Sequence, residues 1–264
     1  MPKTKRSILS IGRLLVLSAL VVCLFGCDYE AENTRDAPSI EEPVDQPEDM
    51  VSEECLNARM LGSITTVDTP ALYLIGAPHG TFDFNTAPIV ESICQSLSWN
   101  CVVARKYTVE GVRINVNRPS EGANLAPNDE IRSARSQCVF DYYVQMARSV
   151  SHLEDLKLYV EIHGAGIETI EIATVGVSPQ QAARIKVALL SALNSPGQGF
   201  IDIKIQPIDA ISLGATASKT FGMLSLVSPV LHIEMPAGLR VDEPVRVRDF
   251  LRVGLAEVAR TEFQ

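Results

Sequence analysis

From Ala71 to Arg260 the chain alternates short apolar or period-two runs with longer amphipathic stretches. That alternation confines the fold to layered helices packed on a sheet. Ala71 to Ala77 is a continuous apolar run ended by Gly76 and Pro78, which suits a buried strand. Thr86, with Pro88 in the first turn, opens a helix that reaches about Leu97. Cys101 to Ala104 forms the next strand, and Arg113 to Arg118 alternates Ile114 and Val116 with polar neighbours before stopping at Pro119. A long helix is expected from Asp129 to about Val150. Leu156, Leu158, Val160 and Ile162 then alternate with Lys157, Tyr159, Glu161 and His163, which puts Glu161 and His163 on one side of a strand. Further strands are expected over 168–175, 200–206 and 229–235, the last with His232 and Glu234 on one face. Helices are expected from Ser178-Pro179 to about Ala192 and from Val245 to about Arg260, the latter with Val247, Phe250, Leu251, Leu255 and Val258 on one stripe. The expected architecture is a three-layer α/β/α domain with a mixed central sheet. No internal repeat and no nucleotide-binding glycine pattern is present.

The first 26 residues read as a leader. Lys3, Lys5, Arg6 and Arg13 precede an apolar run, Leu14 to Phe25, that is too short to span a bilayer as a helix. Leu24-Phe25-Gly26-Cys27 resembles a bacterial lipobox, which implies that Cys27 becomes a lipidated N-terminus. The expected location is the bacterial cell envelope, with the domain lipid-anchored on the outer side of a membrane. Residues 27–54 hold eleven acidic residues, one arginine and three prolines. Such a segment buries too little apolar surface to offset its ordering entropy and reads as an acidic disordered tether. The chain is formally −9. Leader and tether account for most of the imbalance, leaving about −3 on a single domain from Cys55 to Gln264. With no basic field to neutralise phosphates, nucleic acid is excluded as a partner.

Cys55, Cys94, Cys101 and Cys138 remain after the leader and Cys27 are set aside. An even number outside the cytoplasm permits two disulfides in three possible pairings. A bridge between Cys94, on a helix, and Cys101, on the next strand, fits the element order. The absence of Cys-x-x-Cys speaks against a thiolate zinc site.

Function is carried by three strand-end stretches: Pro78-His79-Gly80-Thr81-Phe82-Asp83, Glu161-Ile162-His163-Gly164 and His232-Ile233-Glu234-Met235-Pro236. Three of the four histidines lie in them. Ligands of open α/β sheets gather at the carboxyl ends of the strands, where His79, His163 and Glu234 fall. His79, Asp83 and His163 form a two-imidazole, one-carboxylate set suited to Zn2+ with an open position. Glu234 could then move the proton of an attacking water, and Glu161 could orient a ligand from behind. Arg113 and Arg118 would recognise a substrate carboxylate, with Arg105 just upstream.

Pro78-His79-Gly80, Asn117-Arg118-Pro119, Glu161-Ile162-His163-Gly164 and Ile233-Glu234-Met235-Pro236 stand in an order that resembles the N-formylglutamate amidohydrolase family and its larger relatives, the zinc carboxypeptidases. The resemblance covers about Leu72 to Arg240. It implies a zinc carboxypeptidase-like fold, zinc on the first histidine and the strand histidine, an Asn-Arg substrate clamp and a late catalytic glutamate. It departs from the family at two places. The carboxypeptidase spacing His-x-x-Glu falls on Phe82, one residue before Asp83, and Glu161 stands where the family has aspartate.

The expected activity is zinc-dependent hydrolysis of an amide bond in a small molecule or peptide with a free carboxylate. The alternatives are a non-catalytic binding lipoprotein with a degenerate metallohydrolase fold, and an esterase or deacetylase acting on neutral substrates. Each residue also has a plainer reading. His79 could bond backbone in a turn, His163 could be a satisfied core histidine, and Glu234 could be a rim carboxylate. His232 reads as structural with a possible place in the site, Tyr142 and Tyr143 as core, and Glu171 as half of a strand-end salt bridge. His152 has no assigned role.

Overall fold

The structure, a computed structural model, describes residues 51–122, 129–194 and 200–264. The elements in chain order are α1 (Glu53–Arg59), β1 (Ser63–Val67), β2 (Tyr73–Ala77), α2 (Thr86–Leu97), β3 (Asn100–Arg105), β4 (Thr108–Val109), β5 (Val112–Asn115), β6 (Ser120–Glu121), α3 (Ala134–Val150), β7 (Leu158–Ala165), β8 (Ile170–Val175), α4 (Pro179–Leu193), β9 (Ile203–Ile205), α5 (Thr216–Phe221), β10 (Val230–Pro236), α6 (Ala237–Asp242) and α7 (Pro244–Glu262). Seven strands form one mixed sheet in the order β1-β3-β2-β7-β10-β8-β9. Its centre, β3-β2-β7-β10, is parallel. β1 and β8 pair antiparallel with β3 and β10, and β9 runs parallel to β8. β4, β5 and β6 make a small separate antiparallel sheet.

The buried central strands carry apolar side chains on both faces, as a sheet covered on both sides requires. Ile75, Val103, Val160, Ile162, Leu231 and Ile233 pack under α2, α4 and α7, against Ile89, Ile93, Ile185, Leu189, Phe250 and Leu255. Leu74, Val102, Tyr159 and Val230 pack under α1 and α3, against Ala58, Val139, Tyr143 and Ala147. The three-layer α/β/α architecture with a mixed sheet is therefore present. Disulfides join Cys94 to Cys101, between α2 and β3, and Cys55 to Cys138, between α1 and α3. Among the described residues no helix is long and apolar enough to cross a membrane.

Element boundaries differ from the sequence reading for local reasons. The long helix begins at Ala134, not near Asp129, because Ser133 caps it in a reciprocal box with Ser136. The preceding residues are used otherwise: Ile131 bridges Glu121, and Glu130 pairs with Arg118. The strand expected over 113–118 ends at Asn115, where the chain turns back into β6. The strand expected from Phe200 shrinks to Ile203–Ile205, an edge strand paired only with β8. Helix α1 opens at Glu53, two residues inside the stretch read as tether, with Ser52 as its cap. The leader, Cys27 and the tether up to residue 50 lie outside the described residues.

Candidate metal centre

Because β2, β7 and β10 run parallel, their carboxyl ends open at one end of the sheet. The β7–β10 register sets His232 beside Glu161 and Glu234 beside His163. Period two then puts all four side chains on the face that carries Tyr159 and Val230. β8, antiparallel to β10, brings Glu171 beside Glu234.

The segment after β2 bends into a single helical turn, in which the Asp83 amide donates to the His79 carbonyl at 2.8 Å. Residues four apart in such a turn stand on the same side. This accounts for the departure in spacing. The carboxylate that the turn brings to His79 is that of Asp83, at i+4, whereas Phe82 is 42% exposed. Asp83 Oδ2 lies 3.4 Å from His79 Nδ1 and 3.4 Å from His163 Nδ1, and it accepts the Gly164 amide at 3.2 Å. One donor atom from each of His79, Asp83 and His163 can be chosen so that all lie within 4.8 Å of one another, and all three residues are buried. His79 Nε2 is buried without a hydrogen-bond partner. An orphaned imidazole nitrogen beside a second imidazole and a carboxylate is a donor set that fits a divalent zinc ion.

The electrostatics are those of a site built to hold positive charge. Burial pushes His79 down to about 4, so its ring is neutral and its lone pair available at neutral pH. Burial pushes His163 the same way, but its hydrogen bonds to Asp83 and Glu161 prevail and raise it to about 10. Burial also raises Asp83 and Glu161, and the neighbouring histidines outweigh it, holding both carboxyls far below the usual carboxylate range.

Behind this set lies a chain of buried polar groups. Glu161, fully buried, accepts from Tyr159 Oη at 2.9 Å and from Asn117 Nδ2 at 3.2 Å. Its Oε2 also meets His163 Nε2 at 3.1 Å and His232 Nδ1 at 3.0 Å. A carboxylate behind a histidine fixes the ring's orientation and tautomer, the role expected for Glu161. His232 continues the chain outward, its Nε2 lying 3.2 Å from Glu234 Oε1. Burial raises the Glu234 carboxyl, but the His232 hydrogen bond and the charge of His163 outweigh it and keep it below the usual range. Glu161, His163 and His232 form a second group of donor atoms within 4.8 Å of one another. Space for the chain comes from Gly76. A Cβ there would meet the hydroxyls of Tyr143 and Tyr159 at 2.8 Å.

The centre opens into a cavity of about 730 Å³, within the usual size for small-ligand sites. His79, Asp83, His163, His232 and Glu234 line it together with Arg113, Arg118, Glu130 and Arg240. The substrate clamp read from the sequence needs correction. Asn117 is fully buried and spends its amide on Glu161, so it supports the centre from behind and does not reach the cavity. Arg118 lines the cavity, but its Nε and Nη2 are both taken by Glu130. Arg113 is freer: its Nη1 stands 3.9 Å from Asp83 Oδ1 and its guanidinium lies over Phe82. Arg105 pairs with Glu91 at 2.8 Å. Glu171 makes no salt bridge among the described residues. It accepts the amides of Ser212 and Leu213 at 2.8 and 2.9 Å and so anchors a cavity-lining loop.

Sequence reasoning underrated His232 and passed over Arg240, while Tyr143 is core as expected. His232 carried a signal in its shared face with Glu234. Arg240 carried none, because its place depends on how α6 folds back over β7.

No protein-family profile matches the sequence, and no curated protein does either. Solved structures do. A zinc-free form of YndL matches with TM-score 0.47 at 12% identity, over 78% of this chain and 92% of that one. Bacteriophage poly-gamma-glutamate hydrolase matches with TM-score 0.48 at 13% identity, over 76% and 91%. A metallo-carboxypeptidase from Burkholderia cenocepacia matches with TM-score 0.42 at 14% identity, over 79% and 68%. At this distance the reading of the site rests on the chain's own residues.

Proposed function

We propose that the chain is a zinc-dependent hydrolase of amide bonds, acting on an acyl amino acid or peptide that bears a free carboxylate. The observation that carries this reading is the convergence of His79, Asp83 and His163 with Glu234 fixed beside His163. These three residues would hold the ion. The chemistry such an ion supplies when bound is Lewis acidity toward a carbonyl oxygen and toward water.

The protein's own groups do the rest. Glu234, ionised at neutral pH and held by His232, accepts a proton from the attacking water as its oxygen bonds to the amide carbon. The same carboxyl then delivers that proton to the departing nitrogen as the C–N bond breaks, so water is consumed and an acid and an amine are released. Glu161 holds His163 in one orientation through Nε2, leaving its Nδ1 side facing Asp83. Arg113 adds positive charge to the cavity wall.

Purified protein assayed for bound zinc and for hydrolysis of N-acyl amino acids tests this. One equivalent of zinc and chelator-sensitive turnover, both lost in His79→Ala, are expected. Full turnover in chelator-treated protein would refute it. The leader and Cys27 support a further part of the proposal, that the domain is lipid-anchored in the bacterial envelope. Cys27→Ser should then move the protein from the membrane to the soluble fraction, and an unchanged distribution would exclude the anchor.

A further inference from the structure

Three arginines line the cavity, and they differ in how their charge is met. Arg118 is matched by Glu130, with Nε 2.8 Å from Oε2. Arg113 has Asp83 at 3.9 Å. Arg240, on α6 six residues after Glu234, is only 5% exposed, and among the described residues nothing forms an ion pair with it. Its Nε donates to the Met235 carbonyl at 3.3 Å and its Nη1 to the carbonyl of Phe84. Both acceptors are neutral, so the guanidinium is fixed in place without a carboxylate in ion-pair contact. A buried cation in that condition is costly unless a partner arrives.

The backbone has also been cleared for this side chain. A Cβ on Gly164 would lie 2.1 Å from Arg240 Cζ and 2.1 Å from Nη2. Gly164 directly follows His163, and its amide donates to Asp83. The guanidinium therefore lies against the strand end that carries the metal-binding histidine, inside the cavity that Glu234 also lines. The nearest acidic influences on it are Asp83 and Glu234, both beyond ion-pair distance and both already engaged with histidines.

We propose that Arg240 is the anion-recognition residue of this cavity and takes the carboxylate of the substrate. The proposal rests on the hydrolase reading of the same site and replaces Arg118 as the residue that confers acid specificity. A guanidinium offers a planar fork to a carboxylate, and one already held by two backbone carbonyls loses little freedom on binding. Nη2 is the nitrogen left for the ligand. Substrates with a carboxylate close to the scissile amide would be preferred over their amides, because only the acid meets the unpaired charge.

The test separates binding from turnover. Calorimetry on zinc-loaded protein in a Glu234→Gln background compares N-acetylalanine with N-acetylalaninamide, while hydrolysis of both is followed in the wild-type protein. An acid-over-amide binding preference of about tenfold or more is expected, on the order of one charge-assisted hydrogen-bonded pair. Adding Arg240→Met should reduce it to about parity with zinc content retained. A preference that persists in Arg240→Met overturns the proposal, and so does an equal loss for both ligands, which would mark Arg240 as a clamp on the Phe84 loop alone. If Arg240→Met does not fold, Arg240→Lys decides. A lysine cannot hold both carbonyls and a carboxylate, so its preference should drop at least threefold, and a wild-type preference overturns the idea. Discrimination of acid from amide without any wild-type turnover would remove the hydrolase reading and leave the anion site standing.

Discussion

Glu234 and His163 are direct neighbours across the β7–β10 ladder, so one backbone register places the proposed base beside a proposed metal ligand. A slip of β10 by one residue would turn Glu234 into the α2–α4–α7 layer while His163 kept its place. The base is therefore separable from the metal set: its carboxylate lies on a different strand and is held by His232, not by Asp83.

Replacing Glu234 with glutamine should consequently lower kcat by about 10²- to 10⁴-fold, the usual worth of a positioned acid–base group. Zinc content should stay at the wild-type level, because His79, Asp83 and His163 are untouched. Metal analysis beside steady-state kinetics checks both halves. Loss of zinc together with activity would place Glu234 among the ligands instead.

Asp83 should behave differently from Glu234. It bridges both histidines and accepts the Gly164 amide, so Asp83→Ala removes a ligand and leaves His163 without one of its two carboxylate partners. Zinc affinity should fall by at least about 10-fold, the lower end of what even an indirect support is worth. Asp83→Glu lengthens the arm within a helical turn whose spacing suits the shorter side chain, and it should restore binding only in part. Competition against a chromogenic chelator measures all three proteins.

The pH dependence follows from His163. Its folded-state value is raised from 6.5 to about 10, so in metal-free protein the proton it holds stabilises the fold fully below about pH 6.5. That contribution declines above 6.5 and is gone as pH passes 10. A zinc ion held by His163 and Asp83 would displace that proton, so the loaded protein should not show the decline. Melting temperatures from pH 6 to 10, with zinc and with chelator, should diverge as pH rises. Parallel curves would show that His163 is not in contact with the ion.

Much of this is legible in the sequence. Strand periodicity alone placed His163 with Glu161 and His232 with Glu234, because a period of two leaves no freedom in which residues share a face. Convergence of His79 with His163 followed from the rule that parallel strands gather their ligands at one end. What the sequence could not carry was which groups neutralise each other. Arg118 and Asn117 fit a substrate clamp by type, yet one meets Glu130 and the other Glu161 through loop closures that leave no periodic trace. The conformation at 79–83 was similarly opaque: a helical turn brings Asp83, already read with His79 as one set, to 3.4 Å from the imidazole.

Gly76 tests whether the buried chain behind the centre matters. An alanine methyl would press on the Tyr143 and Tyr159 hydroxyls from 2.8 Å. The fully buried strand cannot shift to relieve it, so Gly76→Ala should cost about 1–3 kcal/mol in denaturant unfolding. It should also displace Tyr159 from Glu161, loosening the group that orients His163. Weaker zinc binding in the folded variant is the expected signature. A variant with wild-type stability and wild-type affinity would show that the hydroxyls are free to move aside.

The two disulfides should differ in worth, because they close loops of very different length. Cys94 and Cys101 are 7 residues apart, whereas Cys55 and Cys138 are 83 apart. On chain-entropy grounds removing the first pair costs about 2–3 kcal/mol and removing the second about 4–5 kcal/mol. The longer bridge also ties down α1, whose only buried residue is Ala58 and whose Arg59 lies over the Tyr142 ring of α3. Double serine variants compared by urea unfolding should reproduce the order. The Cys55/Cys138 variant should in addition become sensitive to proteolysis near α1 while its zinc centre, built at the strand ends and not on α1, stays intact. Zinc loss in that variant would mean that α1 supports the centre through α3 and Tyr143, a coupling that the packing of Tyr143 against Tyr159 makes the first place to look.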